Sequence, residues 1–144
     1  MKSLSLCLFV STVFAFSSIT ELTWKDMEDV VVVDRYDEIL ESYILSPIFG
    51  DHITSFEGKE VDVTGYVVFI SEANNVIMLS RNDFSSCFFC GGAGPESVLE
   101  VYMKPDMPRL ERDRVITVRG IFKLNPDDPT KNFYLMEEAE MIDQ

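Results

Sequence analysis

The chain has 144 residues, of which 47% are hydrophobic and 26% are charged, so it is long enough to form one globular domain with a hydrophobic core. It carries 25 acidic and 12 basic side chains, and its formal net charge at pH 7 is −13. This charge makes nucleic acid an unlikely partner, because proteins gain affinity for nucleic acids by neutralising phosphates.

Residues 1–17 have the pattern of a secretory signal peptide. Lys2 is followed by an apolar stretch from Leu4 to Phe16, which is too short to span a bilayer comfortably. Ala15 and Ser17 supply the small residues at positions −3 and −1 of a cleavage site. We therefore predict an exported protein, periplasmic or secreted, with no transmembrane segment after cleavage. Cleavage removes one lysine and no acid, which changes the net charge from −13 to −14.

Residues 18–56 are predicted to form an N-terminal helical segment that packs on the following domain. Asp34 is a suitable N-cap and Pro47 a suitable end for one helix, although the β-branched run Val30–Val33 before it favours a strand. Five apolar side chains recur at i, i+3, i+4, i+7 and i+8, which places them on one helical face: Tyr36, Ile39, Leu40, Tyr43 and Ile44.

Residues 57–144 have the pattern of a small β-barrel. In the strand predicted over Glu60–Ser71, apolar and other residues alternate up to Gly65, and beyond it both faces are apolar. This pattern is expected of a sharply bent barrel strand. Ile116–Phe122 repeats the alternation, with Gly120 in the equivalent place. Three shorter strands are predicted over 75–80, 97–103 and 133–136. The predicted fold is mainly β, a five-stranded OB-fold-like barrel preceded by the N-terminal helix.

The most distinctive stretch, Ser86–Glu96, falls between the second and third predicted barrel strands. Cys87 and Cys90 have the spacing of a short disulfide, of a redox pair, or of two ligands to a soft metal ion such as zinc. Export to an oxidising compartment favours the disulfide, and the glycines that follow disfavour the helix on which redox motifs usually lie. The candidate binding residues in this loop are Phe88, Phe89, Gly91, Gly92, Gly94, Pro95 and Glu96.

A zinc site needs about four ligands, so two cysteines alone do not complete it. His52 is the only histidine of the chain and is the candidate third ligand. The simpler interpretation of His52 is an exposed loop histidine between Asp51 and Ile53.

The run Cys87-Phe-Phe-Cys-Gly-Gly-Ala-Gly-Pro-Glu96, together with Thr23-Trp24, Gly58-Lys59 and Gly65-Tyr66, resembles a group of small exported bacterial proteins, chiefly from Bacteroidetes-like bacteria. The resemblance covers essentially the whole chain after the signal peptide. It implies export and an OB-like domain of unknown function, and it implies no activity that can be assigned to individual residues.

The sequence gives little support to an enzyme, since it contains neither a serine nucleophile elbow nor a His-Glu-x-x-His motif. It favours an exported, non-catalytic OB-like binding module, whose Cys-x-x-Cys-Gly-Gly loop is held by a disulfide or a soft metal. Its partner would be an unknown protein or small molecule of the cell envelope. The alternative is a periplasmic thiol redox or metal-handling protein in which Cys87 and Cys90 are the functional groups.

Overall fold

The structure is a computed structural model that describes residues 19–105 and 107–142, with only the backbone of Cys90. The predicted signal peptide, residues 1–17, lies outside the described residues. Within the two described ranges, no helix is long and apolar enough to cross a membrane. In these ranges the strands are β1 (Thr20–Glu21), β2 (Val30–Asp37), β3 (Ser42–Phe49), β4 (Glu60–Ser71), β5 (Val76–Ser80), β6 (Val98–Met103), β7 (Val115–Leu124) and β8 (Tyr134–Met141), and α1 (Asp51–Thr54) is an α-helix.

Five of these strands close into a barrel. The order is β4-β5-β6-β8-β7, and β7 pairs back with β4 to complete the circle. All neighbouring strands are antiparallel except β6 and β8, which are parallel, and β1 adds to β4 in parallel. The predicted five-stranded β-barrel is therefore confirmed, and β4 has the bounds that the alternation indicates.

Gly65 lies where β4 passes close to both the N-terminal segment and β5. A Cβ atom at this position would lie 2.8 Å from the Trp24 ring and 2.9 Å from the carbonyl oxygen of Ser80. The Trp24 indole donates a hydrogen bond of 2.7 Å to the carbonyl oxygen of Thr64. The missing side chain thus lets the N-terminal segment approach the barrel wall, and β4 turns from pairing with β7 to pairing with β5 around this point.

The hydrophobic core continues from the barrel into the N-terminal segment. The Tyr134 ring lies 5.7 Å from the ring centroids of both Phe122 and Phe49. Its hydroxyl donates a hydrogen bond of 2.6 Å to the main-chain oxygen of Met27. Leu22, Met27 and Ile53 are almost completely buried against the barrel strands, so the N-terminal segment closes the barrel core.

The helix predicted between Asp34 and Pro47 is wrong, because β2 and β3 form an antiparallel hairpin there. Within residues 18–56, the described helical elements are only α1 and one 3-10 turn over Asp26–Glu28. Four of the five apolar side chains with helical spacing are exposed, Ile39 by 93% and Tyr43 by 73%, so they do not form a face that packs on the core. The β-branched run at the start of β2 and cross-strand pairs such as Tyr36 with Tyr43 favour the hairpin instead.

We expect Tyr134→Phe to lower the free energy of unfolding by about 1–3 kcal/mol, because it leaves the main-chain oxygen of Met27 buried without its donor. Tyr36→Phe is the matched control, since Tyr36 lies half-exposed on the hairpin. Urea unfolding of both variants tests this expectation. Equal stability of the two variants would contradict the role assigned to the Tyr134 hydroxyl.

Candidate binding cleft

A cleft of about 490 Å³ lies over the outer face of β5 and β6. Met78 and Glu100 are paired across these strands and form its floor, whereas their neighbours Ile77, Leu79 and Leu99 point into the core. Three separate segments form the walls: the β2–β3 hairpin, the loop between β5 and β6 (residues 81–97), and the loop between β7 and β8 (residues 125–133).

The loop between β5 and β6 is held in shape by polar contacts. The Asp83 carboxylate accepts hydrogen bonds from the Ser85 hydroxyl at 2.7 Å and from the Ser86 amide at 3.1 Å, and these bonds lower the pKa of Asp83. The Phe84 amide donates to Asp113 at 2.7 Å, and the Arg112 guanidinium lies 4.4 Å from the Phe84 ring centroid. The loop is thereby fixed to the neighbouring connection between β6 and β7.

The Cys-Gly part of this loop turns back on itself. Cys87 is fully buried beneath it, and the Gly92 amide donates a hydrogen bond of 3.1 Å to the Cys87 carbonyl. A Cβ atom on Gly92 would lie 2.5 Å from the carbonyl oxygen of Ser86, so the turn needs glycine there. The turn directs Phe88 and Phe89 to the cleft, where their rings meet edge to face at 5.5 Å and Phe89 is half-exposed.

The loop between β7 and β8 is organised around Asn125, which is 9% exposed. Its amide donates to the carbonyl oxygens of Asp128 at 2.8 Å and of Asn132 at 3.0 Å, and its side-chain oxygen accepts from the Asp128 amide. Hydrogen bonds from Thr130 hold the pKa of Asp128 below its ordinary value. This internal bonding shapes the loop without help from the hairpin.

Glu100 joins the floor of the cleft to this loop. One carboxylate oxygen accepts from the Tyr102 hydroxyl at 2.6 Å, and the other accepts from the backbone and side-chain amides of Asn132 at 3.1 and 3.2 Å. Burial, followed by the bond to Glu100, raises the pKa of Tyr102 to about 12. Glu100 itself is 8% exposed.

Of the binding residues predicted from the loop sequence, Phe88, Phe89 and Pro95 line the cleft. The other predicted loop residues are not among the described residues that line the cleft: Gly91, Gly92, Gly94 and Glu96. The glycines shape the turn, and the backbone of Glu96 belongs to the 3-10 turn that precedes β6.

In the described part of the chain, the contacts of His52 are with residues of the N-terminal segment. The His52 Nε2 atom lies 2.8 Å from Asp26 Oδ1, and the ring packs edge-on against Phe56 at 5.4 Å. The described side chains, which leave out that of Cys90, contain no group of three or more His, Cys, Asp or Glu residues that could hold a metal ion. Zinc binding, with His52 as a ligand, and a Cys87–Cys90 disulfide stay predictions.

Several residues that line the cleft were not predicted from the sequence, notably Arg35, Met78, Glu100 and Asn132. Glu100 had a usable signal, because it is the single charged residue within the otherwise apolar strand β6. Arg35 had none, since it lay inside the segment that was predicted to be helical.

No protein-family model matches the chain, and no curated protein matches it. A solved structure of a DUF3299 family protein from Pseudomonas aeruginosa PAO1 is similar to it, with a TM-score of 0.54 and 15% sequence identity over 88% of this chain and 98% of that chain. The two proteins share a fold. At this identity the likeness extends to the fold alone. An OBody bound to hen egg-white lysozyme matches 62% of this chain and 87% of its own, with 20% identity and a TM-score of 0.40, which is too low to support any argument.

The glycines of the Cys-Gly turn differ in a testable way. Gly92→Ala should lower the free energy of unfolding by about 1–3 kcal/mol, because its new methyl group meets the rigid backbone of Ser86. Gly94→Ala is the matched control, since its methyl group meets only the movable carboxylate of Glu96. Thermal or urea unfolding measures both. Equal effects of the two substitutions would contradict the turn geometry.

Proposed function

We propose that the protein is an exported, non-catalytic binding module with an OB-fold-like barrel, and that the cleft over β5 and β6 holds its ligand. One observation carries this proposal: three segments far apart in sequence converge on a single concavity, and they bring to it the aromatic pair Phe88 and Phe89, of which Phe89 is half-exposed, together with Pro95. Concave sites with mostly apolar walls and a few placed polar groups are typical of ligand sites.

The reactive side chains near the cleft favour binding over catalysis. Glu100 accepts three hydrogen bonds from Tyr102 and Asn132, so most of its acceptor capacity serves the structure of the cleft. Cys87 is fully buried, which keeps its sulfur from a dissolved substrate. The burial of Cys87 also weighs against the alternative function, a thiol redox or metal-handling protein.

The charge distribution supports a ligand other than nucleic acid. Three of the six basic side chains between residues 104 and 123 lie beside carboxylates: Arg119 binds Asp62 with two hydrogen bonds of 2.7 and 2.8 Å, Lys104 lies 3.2 Å from Glu140, and Lys123 lies 3.7 Å from Glu57. The chain as a whole is strongly acidic, so its net charge repels phosphates. A protein or small molecule of the cell envelope fits these observations better.

The aromatic pair offers a direct test of ligand binding. We expect at least one member of a panel of the twenty N-acetyl amino-acid amides to shift the backbone NMR signals of the cleft residues saturably. Phe89→Ala should weaken that binding by about 2- to 10-fold, because it removes an exposed aromatic surface from the cleft.

Phe69→Ala is the control for this substitution. Phe69 is 47% exposed on β4, close to the 52% of Phe89, and it does not line the cleft. The Phe69→Ala variant should bind the same panel member with the affinity of the unmodified protein. A panel in which no member shifts the cleft signals, or in which both variants lose binding equally, would contradict the proposed site.

A further inference from the structure

The floor of the cleft holds a buried carboxylate that is not neutralised. Glu100 is 8% exposed, and in residues 19–105 and 107–142 it forms no ion pair within 4.0 Å. Its three hydrogen-bond donors are all neutral groups of Tyr102 and Asn132. Because buried carboxylates are usually paired with a positive charge, this arrangement leaves negative charge on the floor of a mostly apolar cleft.

The hydrogen bonds also show that Glu100 acts as an acceptor. Both of its oxygens are in hydrogen bonds, one with the Tyr102 hydroxyl and the other with the backbone and side-chain amides of Asn132. The two cations that line the cleft are directed elsewhere. Arg35 lies 3.8 Å from Asp127, and the Lys131 ammonium lies over the Tyr102 ring at 5.6 Å from its centroid. The remaining lining acid, Asp128, is bonded to Thr130.

The aromatic wall complements this charge. Phe88 and Phe89 line the same cleft as Glu100, and the half-exposed ring of Phe89 is available to a ligand. Aromatic faces attract cations, and the attraction is stronger where water is excluded. A negative floor and an aromatic wall are together the two features that recognise a positively charged organic group.

We propose that this cleft binds an organic cation of the alkylammonium class, with Glu100 as its counter-charge and Phe88 and Phe89 as its aromatic contacts. This inference rests on the proposed function, since it names the ligand class of the same cleft. A carboxylate offers about four acceptor positions, and three of them are filled here. The remaining acceptor position can take one N–H donor, whereas the bidentate contact of a guanidinium needs two acceptor positions. The ammonium group comes either from a free small molecule or from a lysine side chain of a peptide.

NMR titration with three probes that share one backbone tests whether the ligand needs a positive charge. The probes are N-acetyl-lysine amide, N-acetyl-arginine amide and the neutral N-acetyl-norleucine amide. We expect the lysine probe to bind about tenfold more tightly than the norleucine probe, and more tightly than the arginine probe. Glu100→Gln should remove this tenfold preference, so that the lysine and norleucine probes bind the variant with equal affinity. Glu96→Gln, which changes a carboxylate outside the cleft lining, should leave the preference intact.

Two further probes identify the source of the cation. Equal affinity for butylammonium and for the tripeptide N-acetyl-Ala-Lys-Ala-amide supports a free amine, and a tripeptide that binds at least about tenfold more tightly supports a peptide. Norleucine binding equal to lysine binding would overturn the cation inference and leave the proposed function standing. The lysine and norleucine probes are compared on the unmodified protein, so this result decides the inference even if the Glu100→Gln variant does not fold. Failure of all five probes to shift the cleft signals would also overturn the cation inference, whereas the proposed function falls only if no member of the panel of twenty amino-acid amides shifts them.

Discussion

The contact between Tyr134 and the N-terminal segment is the interaction on which the rest of the structure depends. The ring packs between Phe122 of the barrel and Phe49 at the end of β3, and the hydroxyl binds the main chain of Met27. Burial of this hydroxyl raises the pKa of Tyr134. The hairpin is thereby joined to the barrel at its base. The ion pair between Arg35 and Asp127 contributes little to that attachment, because both side chains are well exposed.

With the hairpin fixed, the cleft forms from parts that are each ordered by their own contacts. The two loops are shaped from within by short polar side chains, Asp83 in one and Asn125 in the other. Their apolar side chains are then free to face the cleft, while Glu100 ties the floor to the second loop. A site ordered in this way loses little conformational freedom when a ligand binds, so more of the contact energy remains as affinity.

The barrel was predictable from the sequence because its signals are local. The alternation of polar and apolar residues along Glu60–Ser71 follows from which faces of one strand are buried. The hairpin was not predicted, since a helical spacing of apolar residues was given more weight than the β-branched start of β2. Those apolar residues are largely exposed, so their spacing held no information about packing.

The candidate site was predictable only in part. The Cys-Gly loop drew attention by its composition, and three of its residues line the cleft. The other walls depend on contacts between residues far apart in sequence, such as Glu100 with Asn132, and no local pattern predicts those. Of the glycines predicted as binding residues, Gly92 is needed by the turn, which is the usual role of glycine at a close backbone approach.

The central claim is that the β2–β3 hairpin is a fixed wall of the cleft, and a nuclear Overhauser experiment on the folded protein in solution tests it most directly. The account predicts cross-peaks between the ring protons of Phe49 and Tyr134, whose centroids lie 5.7 Å apart. Absence of these cross-peaks, in spectra where the Phe122 to Tyr134 cross-peaks are present, would show that the hairpin does not rest on the barrel and would contradict the account.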